Sequence, residues 1–246
     1  MKSRSWVFLV SLCSILAVSF GTGCGNSADL VQASAMAGRK HAEVVVRDGD
    51  GNEYRTVQIG NQVWFAENLR SSTYRNGDPI PGGLTDEEWT STTSGAQTVY
   101  GEGTTDVLEG SADEVENLEK YGRLYNWYAV NDPRGLCPSG YHVPSVADWQ
   151  KLVDELGGEE VAGEALKDDR KWDGTNSSGF SALPGGGRYF YFDYGGFSDQ
   201  DGYGYWWSSS PNGSSAWYRL LNSGYSSVFR SDYGTRFGFS VRCVRD

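Results

Sequence analysis

The sequence has little histidine, little cysteine and a shortage of positive charge. Only His41 and His142 are present. His41 lies in a small, polar stretch, and His142 sits among Pro138, Gly140 and Pro144 just ahead of a helix signal, a place for a structural hydrogen bond. A histidine-based triad needs a positioned nucleophile and a third group. Many serines are available, but no nucleophile-elbow pattern is. Lys and Arg number 21 against 32 Asp and Glu, for a net charge of −11. Phosphate backbones are bound by clustered Lys and Arg, so nucleic acid is excluded as a partner. An anionic membrane surface would repel such a chain. Long apolar runs are confined to the first residues, which excludes a membrane bundle.

What is there begins with an export signal. Lys2 and Arg4 precede an apolar run from Trp6 to Phe20, and the small residues Gly21-Thr22-Gly23 lead to Cys24. This is the anatomy of a secretory signal. The run is shorter than the ~20 residues that span a bilayer comfortably. A cysteine after small residues resembles a bacterial lipobox, with Gly21 where that pattern favours Leu. The reading is therefore a lipoprotein signal peptide over 1–23, lipidation of Cys24, and a flexible tether over 24–42. It places the protein in the bacterial cell envelope, exported across the inner membrane and held to a membrane by lipid alone. An ordinary signal peptide cut nearby is the alternative. Cys13 leaves with the signal and Cys24 takes the lipid, so Cys137 and Cys243 remain. In an exported chain they are expected to form a disulfide, two buried free thiols being the alternative.

The folded part is expected over 43–246. Glu43 to Arg47 and Tyr54 to Ile59 flank the turn cluster Asp48-Gly49-Asp50-Gly51-Asn52, and Gln62 to Ala66 follows as a third strand. Residues 71–116 are polar and acidic with little period and read as a long surface insertion. Leu118, Tyr121, Leu124, Tyr125 and Tyr128 then predict one helix, stopped by Asn131-Asp132-Pro133. Ser145, with Asp148 three residues on, predicts a second helix with the stripe Val146, Trp149, Leu152, Val153 and Leu156. A short third runs over Glu160 to Lys167. The remainder alternates strands and turns. Its last strand puts Phe237, Phe239, Val241 and Cys243 on one face. Strands, helices and strands in that order argue α+β with antiparallel sheets and two main helices.

These pieces resemble a known family. Asp50 to Gly60 leads to Gln62-Val63-Trp64-Phe65-Ala66-Glu67-Asn68-Leu69-Arg70. Later come Tyr121-Gly122-Arg123-Leu124-Tyr125-Asn126-Trp127-Tyr128, Leu136-Cys137-Pro138-Ser139-Gly140-Tyr141-His142-Val143-Pro144 and Ser240-Val241-Arg242-Cys243-Val244. In that order they closely resemble the Fibrobacter succinogenes major paralogous domain, a family of exported bacterial proteins, many of them lipoproteins. The family carries no established activity. The tail Gly238 to Val244 is also similar to the end of formylglycine-generating enzyme domains. That likeness implies a C-type-lectin-like fold with long Gly-rich loops.

No catalytic residues are expected. Formylglycine-generating enzymes use two nearby cysteines that bind copper, whereas Cys137 and Cys243 are far apart in sequence. No metal site and no cofactor are expected either. Asp48, Asp50 and Asn52 begin like a calcium loop, but Glu53 stands where its glycine belongs and Ile59 where its glutamate belongs. Asp199 and Asp201 offer another pair of ligands for a structural calcium, with no motif behind them. Ten rings, from Tyr189 through Phe190, Tyr191, Phe192 and Tyr194 to Trp207, crowd a Gly- and Asp-rich stretch. Such rings either fill a core or present flat faces to a ligand. The expectation is a non-catalytic domain that binds polysaccharide or a surface protein through Tyr203, Tyr205, Trp206 or Trp207, with Asp199 and Asp201 hydrogen bonding to hydroxyls. A divergent enzyme of the formylglycine-generating type and a purely structural envelope protein are the alternatives.

Overall fold

The structure is a computed structural model, which describes residues 45–103, 107, 110–189 and 196–246. The signal, Cys24, the tether and the rings of 190–195 lie outside the described residues.

The N-terminal part is a set of short strands. β1 (Val46–Arg47) pairs with β2 (Glu53–Tyr54). The Asp48 carboxylate holds the turn, accepting from the backbone N–H of Asp50 and Asn52 at 3.0 and 2.9 Å and from the Tyr54 hydroxyl at 2.6 Å. Asp50 in turn accepts from Thr73 Oγ1 at 2.7 Å. The Asp48 carboxylate is thus taken up within the hairpin, and the Asp50 carboxylate by Ser72 and Thr73. β3 (Thr56–Ile59) folds back on β4 (Gln62–Phe65) across Gly60, whose φ is 56°.

Residues 71–103 are part of the fold, against the expectation of a surface insertion. Tyr74, Ile80, Trp89 and Tyr100 are all buried. Helix α1 (Asp86–Ser91) is capped by Thr85 and Glu88 in a capping box, and Trp89 donates to the Arg236 carbonyl at 2.7 Å. β5 (Gln97–Val99) follows. Isolated rings in polar sequence make no periodic signal, so their burial was hidden.

The helix predicted over Leu118 to Tyr128 is three elements. α2 (Glu114–Tyr121) ends at Gly122, where φ is 76° and a side chain would meet the Leu69 carbonyl at 2.9 Å. β6 (Arg123–Tyr125) then pairs with β5, and α3 (Trp127–Val130) starts from an Asn126 cap. Leu124 and Tyr125 are buried as strand residues, so the apolar count was right and the period was not.

The later part keeps closer to expectation. β7 (Tyr141–His142) precedes α4 (Val146–Glu155), which Ser145 and Asp148 cap reciprocally. His142 bridges Asp246 at 2.8 Å and Asp148 at 3.3 Å, the structural role anticipated. α5 (Ala162–Leu166) is the short helix. Then come β8 (Gly185–Arg188), β9 (Phe197–Gln200), β10 (Tyr203–Asn212), β11 (Ser215–Asn222), β12 (Phe229–Gly234) and β13 (Val244–Arg245).

The described fold is α+β, with five helices and mostly antiparallel sheets. The largest sheet runs β12-β11-β10-β8-β9, with only β10 and β8 parallel. A second runs β3-β4-β13-β7. One core cluster holds Phe65, Tyr125, Trp207, Phe237, Phe239 and Val241 together with both cysteines. The other packs α4 through Trp149, Leu152 and Val153 against Trp64, Phe180 and Trp206. Cys137 and Cys243 form a disulfide with Cα atoms 5.9 Å apart. Chain entropy sets an upper value of ~4–5 kcal/mol for a loop of this length, and bridges typically contribute ~2–4 kcal/mol. Among the described residues no helix is long and apolar enough to cross a membrane.

Candidate functional site

The aromatic strand lies inside the molecule. Trp206 and Trp207 point to opposite faces of β10, yet they are 1% and 0% exposed. Each face of the sheet is covered, which the sequence of one strand does not reveal. Trp207 meets Phe239 at 4.6 Å and donates to the Tyr125 carbonyl at 2.7 Å. Trp206 faces Phe180 and donates to Asn68 Oδ1 at 2.9 Å. Its ring lies over Gly204, where a Cβ would come within 2.3 Å of it. Tyr205 is buried as well, its ring stacked on Phe239 at 4.8 Å. These three expected contact rings are core residues and offer no surface to a ligand.

Tyr203 differs, being 37% exposed at the start of the same strand. Strand register brings it company. Tyr205 lies opposite Leu220, Leu220 opposite Phe229, and Ala216 opposite Tyr233, so these residues share one face. Phe229 and Tyr233 are 40% and 37% exposed. Tyr203 stacks on Tyr205 at 6.1 Å, Tyr205 touches Tyr218 at 5.9 Å, and Tyr218 stacks on Tyr233 at 5.4 Å. A continuous row of rings thus runs from core to solvent. Phe229 and Tyr233 were missed as candidates, although Phe229, Ser231 and Tyr233 fall at the period of one strand face.

Asp199 and Asp201 stand beside these rings in left-handed backbone, with φ of 70° and 68°. Asp199 Oδ2 accepts from the Tyr189 and Tyr205 hydroxyls at 2.6 and 2.8 Å. Asp201 Oδ1 accepts from the Tyr121 hydroxyl at 2.8 Å. The carboxylates therefore anchor tyrosines. Burial pushes both the Tyr189 and the Tyr205 phenol far above the ordinary value, and the charge of Asp199 adds to it. Both stay protonated donors through mild alkali. Among the described residues no group of three or more His, Cys, Asp or Glu is placed to hold a metal ion.

The Fibrobacter succinogenes major domain matches residues 57–245, and the chain belongs to that family. Comparison with curated proteins and with solved structures gave no match.

Proposed function

We propose that this chain is a non-catalytic, lipid-anchored domain of the bacterial cell envelope that binds an extracellular ligand, polysaccharide first and a surface protein second. Its fold is read as C-type-lectin-like, with long Gly-rich loops. The observation that carries the binding reading is the ring row that surfaces at Tyr203 and Tyr233, with Phe229 exposed on the same face of the sheet. Half-exposed rings fixed by stacked neighbours give a rigid, flat, partly polar face, which suits the apolar faces of sugar rings. The buried bridge between Cys137 and Cys243 supports a non-catalytic role, since it leaves no free cysteine among the described residues for a copper site of the formylglycine-generating type.

The direct test is retention of the purified full chain on a panel of soluble and insoluble polysaccharides and on cell-surface preparations. Stacking is largely uncharged, so retention is expected to survive ~0.5 M salt. Failure of every glycan and surface preparation to retain the intact chain would overturn the reading. The anchor has its own test. Replacing Cys24 by Ser is expected to release the exported protein from membranes, because the lipid on that sulfur carries the attachment. Unchanged membrane partitioning of that variant would contradict it.

A further inference from the structure

On the far side of Trp206 from the ring row lies a polar cavity of about 250 Å³. Its walls come from the β4 end, α2, the loop after α5 and the C-terminal segment. Six Lys or Arg side chains line it against three carboxylates, a local positive excess in a chain of net charge −11. Two of the cations have acid partners, Arg55 on Glu67 at 2.5 Å and Arg170 on Asp169 at 3.6 Å. Among the described residues the other four, Arg70, Lys120, Lys171 and Arg242, have no carboxylate within ion-pair distance.

Arg242 is the centre of the arrangement. It is 1% exposed, and every acceptor it uses is neutral. Nε donates to Asn68 Oδ1 at 2.7 Å, one terminal nitrogen to the Phe65 and Phe180 carbonyls at 2.9 and 2.6 Å, and the other to the Ser181 carbonyl at 3.1 Å. A guanidinium has five N–H donors, so one remains beyond these four bonds, on a side chain that forms part of the cavity wall. Burial pulls its affinity for a proton down to about 9, with Glu67 opposing, so it is a cation at neutral pH. Arg70, in the same wall, donates from a terminal nitrogen to the Glu53 carbonyl at 2.7 Å and keeps a buried Nε with no hydrogen-bond partner. A buried charge held by neutral groups alone is costly, and a bound anion would offset that cost.

The remaining walls narrow the kind of anion. Glu119 and Asp168 stand among the cations, so a dianion would meet repulsion there. Asn176 donates to Ser181 Oγ at 3.0 Å and keeps its second amide N–H for a neutral partner. A monoanion that also carries hydroxyls satisfies both sets, its carboxylate toward the cations and its hydroxyls toward carboxylates and amide. The size suits a single sugar ring rather than a drug-sized apolar ligand. We infer that this cavity binds a polyhydroxy carboxylate of monosaccharide size, the chemistry of a hexuronic acid, held by Arg242, Arg70, Lys120 and Lys171. The inference does not rest on the ring row, since the two sites use different residues on different faces.

Calorimetric titration of the purified full chain with galacturonate at low salt tests it, with galactose, inorganic phosphate and a short oligogalacturonate as the other arms. Galacturonate is expected to bind, and the neutral hexose is not. Binding should weaken about tenfold or more in the double variant Lys120→Gln, Lys171→Gln, whose side chains sit at the rim and whose thermal unfolding should match the parent. Tighter binding of the oligomer would mark a uronate within a polymer as the source, and equal binding would mark the free acid. Either supports the site. Binding of phosphate alone, equal binding of galactose, no binding of either uronate, or a double variant that binds as well as the parent would each overturn it. Loss of uronate binding with the ring-row retention intact, or the reverse, tells which of the two readings failed.

Discussion

The two faces of β10 are buried to the same degree by different means. On one, Tyr205 and Trp207 lie among Tyr218, Phe237 and Phe239, ring against ring. On the other, Trp206 lies opposite a buried Arg219 and ends on Asn68, which also receives Arg242. Arg219 donates to Glu159 at 2.7 Å and to Gln150 of α4 at 3.0 Å. Both faces bury rings, Trp206 packing with Phe180 and Trp149 on the second, but the first runs out into solvent as exposed rings and the second as a charged cavity. Alternation along a strand tells which residues share a side. It does not tell whether that side is water, and here neither side is until the ends of the sheet.

Trp207→Ala and Trp206→Ala should each cost ~3–5 kcal/mol in urea unfolding, since both remove a fully buried ring. A cost below ~1 kcal/mol for either would mean that its face is open. Next in size is the bridge, which ties the ring-lined face to the loop before β7. Cys137→Ser with Cys243→Ser should lower stability by ~2–4 kcal/mol, and mass spectrometry of a non-reduced digest of the parent should show the Cys137 and Cys243 peptides joined. Quantitative alkylation of both cysteines without reductant would contradict it.

Alkali offers a finer cut, because the ring-lined face carries buried phenols. The folded pKa of Tyr205 is raised. Above pH ~10 the unfolded chain therefore loses protons that the folded chain keeps, and stability falls as pH rises. Each such phenol removes at most ~1.4 kcal/mol per pH unit. Tyr205→Phe should flatten that slope, measured as unfolding free energy between pH 9 and 11. An unchanged slope would place the phenol in contact with water.

Much of this was legible in the chain. Ser145 with Asp148 marked α4, and the two turn clusters near 50 and 60 marked hairpins. The alternation after Phe237 marked a buried segment but not a strand: 238–240 make single bridges to three different partners, both of its faces are buried, and only Val244–Arg245 is a strand. What failed did so for want of long-range information. Leu118 to Tyr128 carries a helical spacing, but Gly122 and pairing with β5 decide otherwise. Residues 71–103 hold single large rings whose burial depends on partners far along the chain, as Trp89 does on Arg236. Of the candidate rings, Tyr203 alone reached the surface, because its exposure follows from its place at the strand end. Phe229 and Tyr233 joined it only through register.

The ring row carries the central claim, and its members separate binding from folding. Tyr203→Ala and Tyr233→Ala remove exposed rings, whereas Tyr218→Ala removes the buried ring between them. Affinity electrophoresis in the retained polysaccharide, with unfolding measured in parallel, compares the three. The account predicts that each exposed-ring variant loses about 2- to 10-fold in affinity with stability changed by less than ~1 kcal/mol, while Tyr218→Ala loses ~3–5 kcal/mol of stability. Full affinity in the double variant Tyr203→Ala, Tyr233→Ala, with the fold intact, would contradict it.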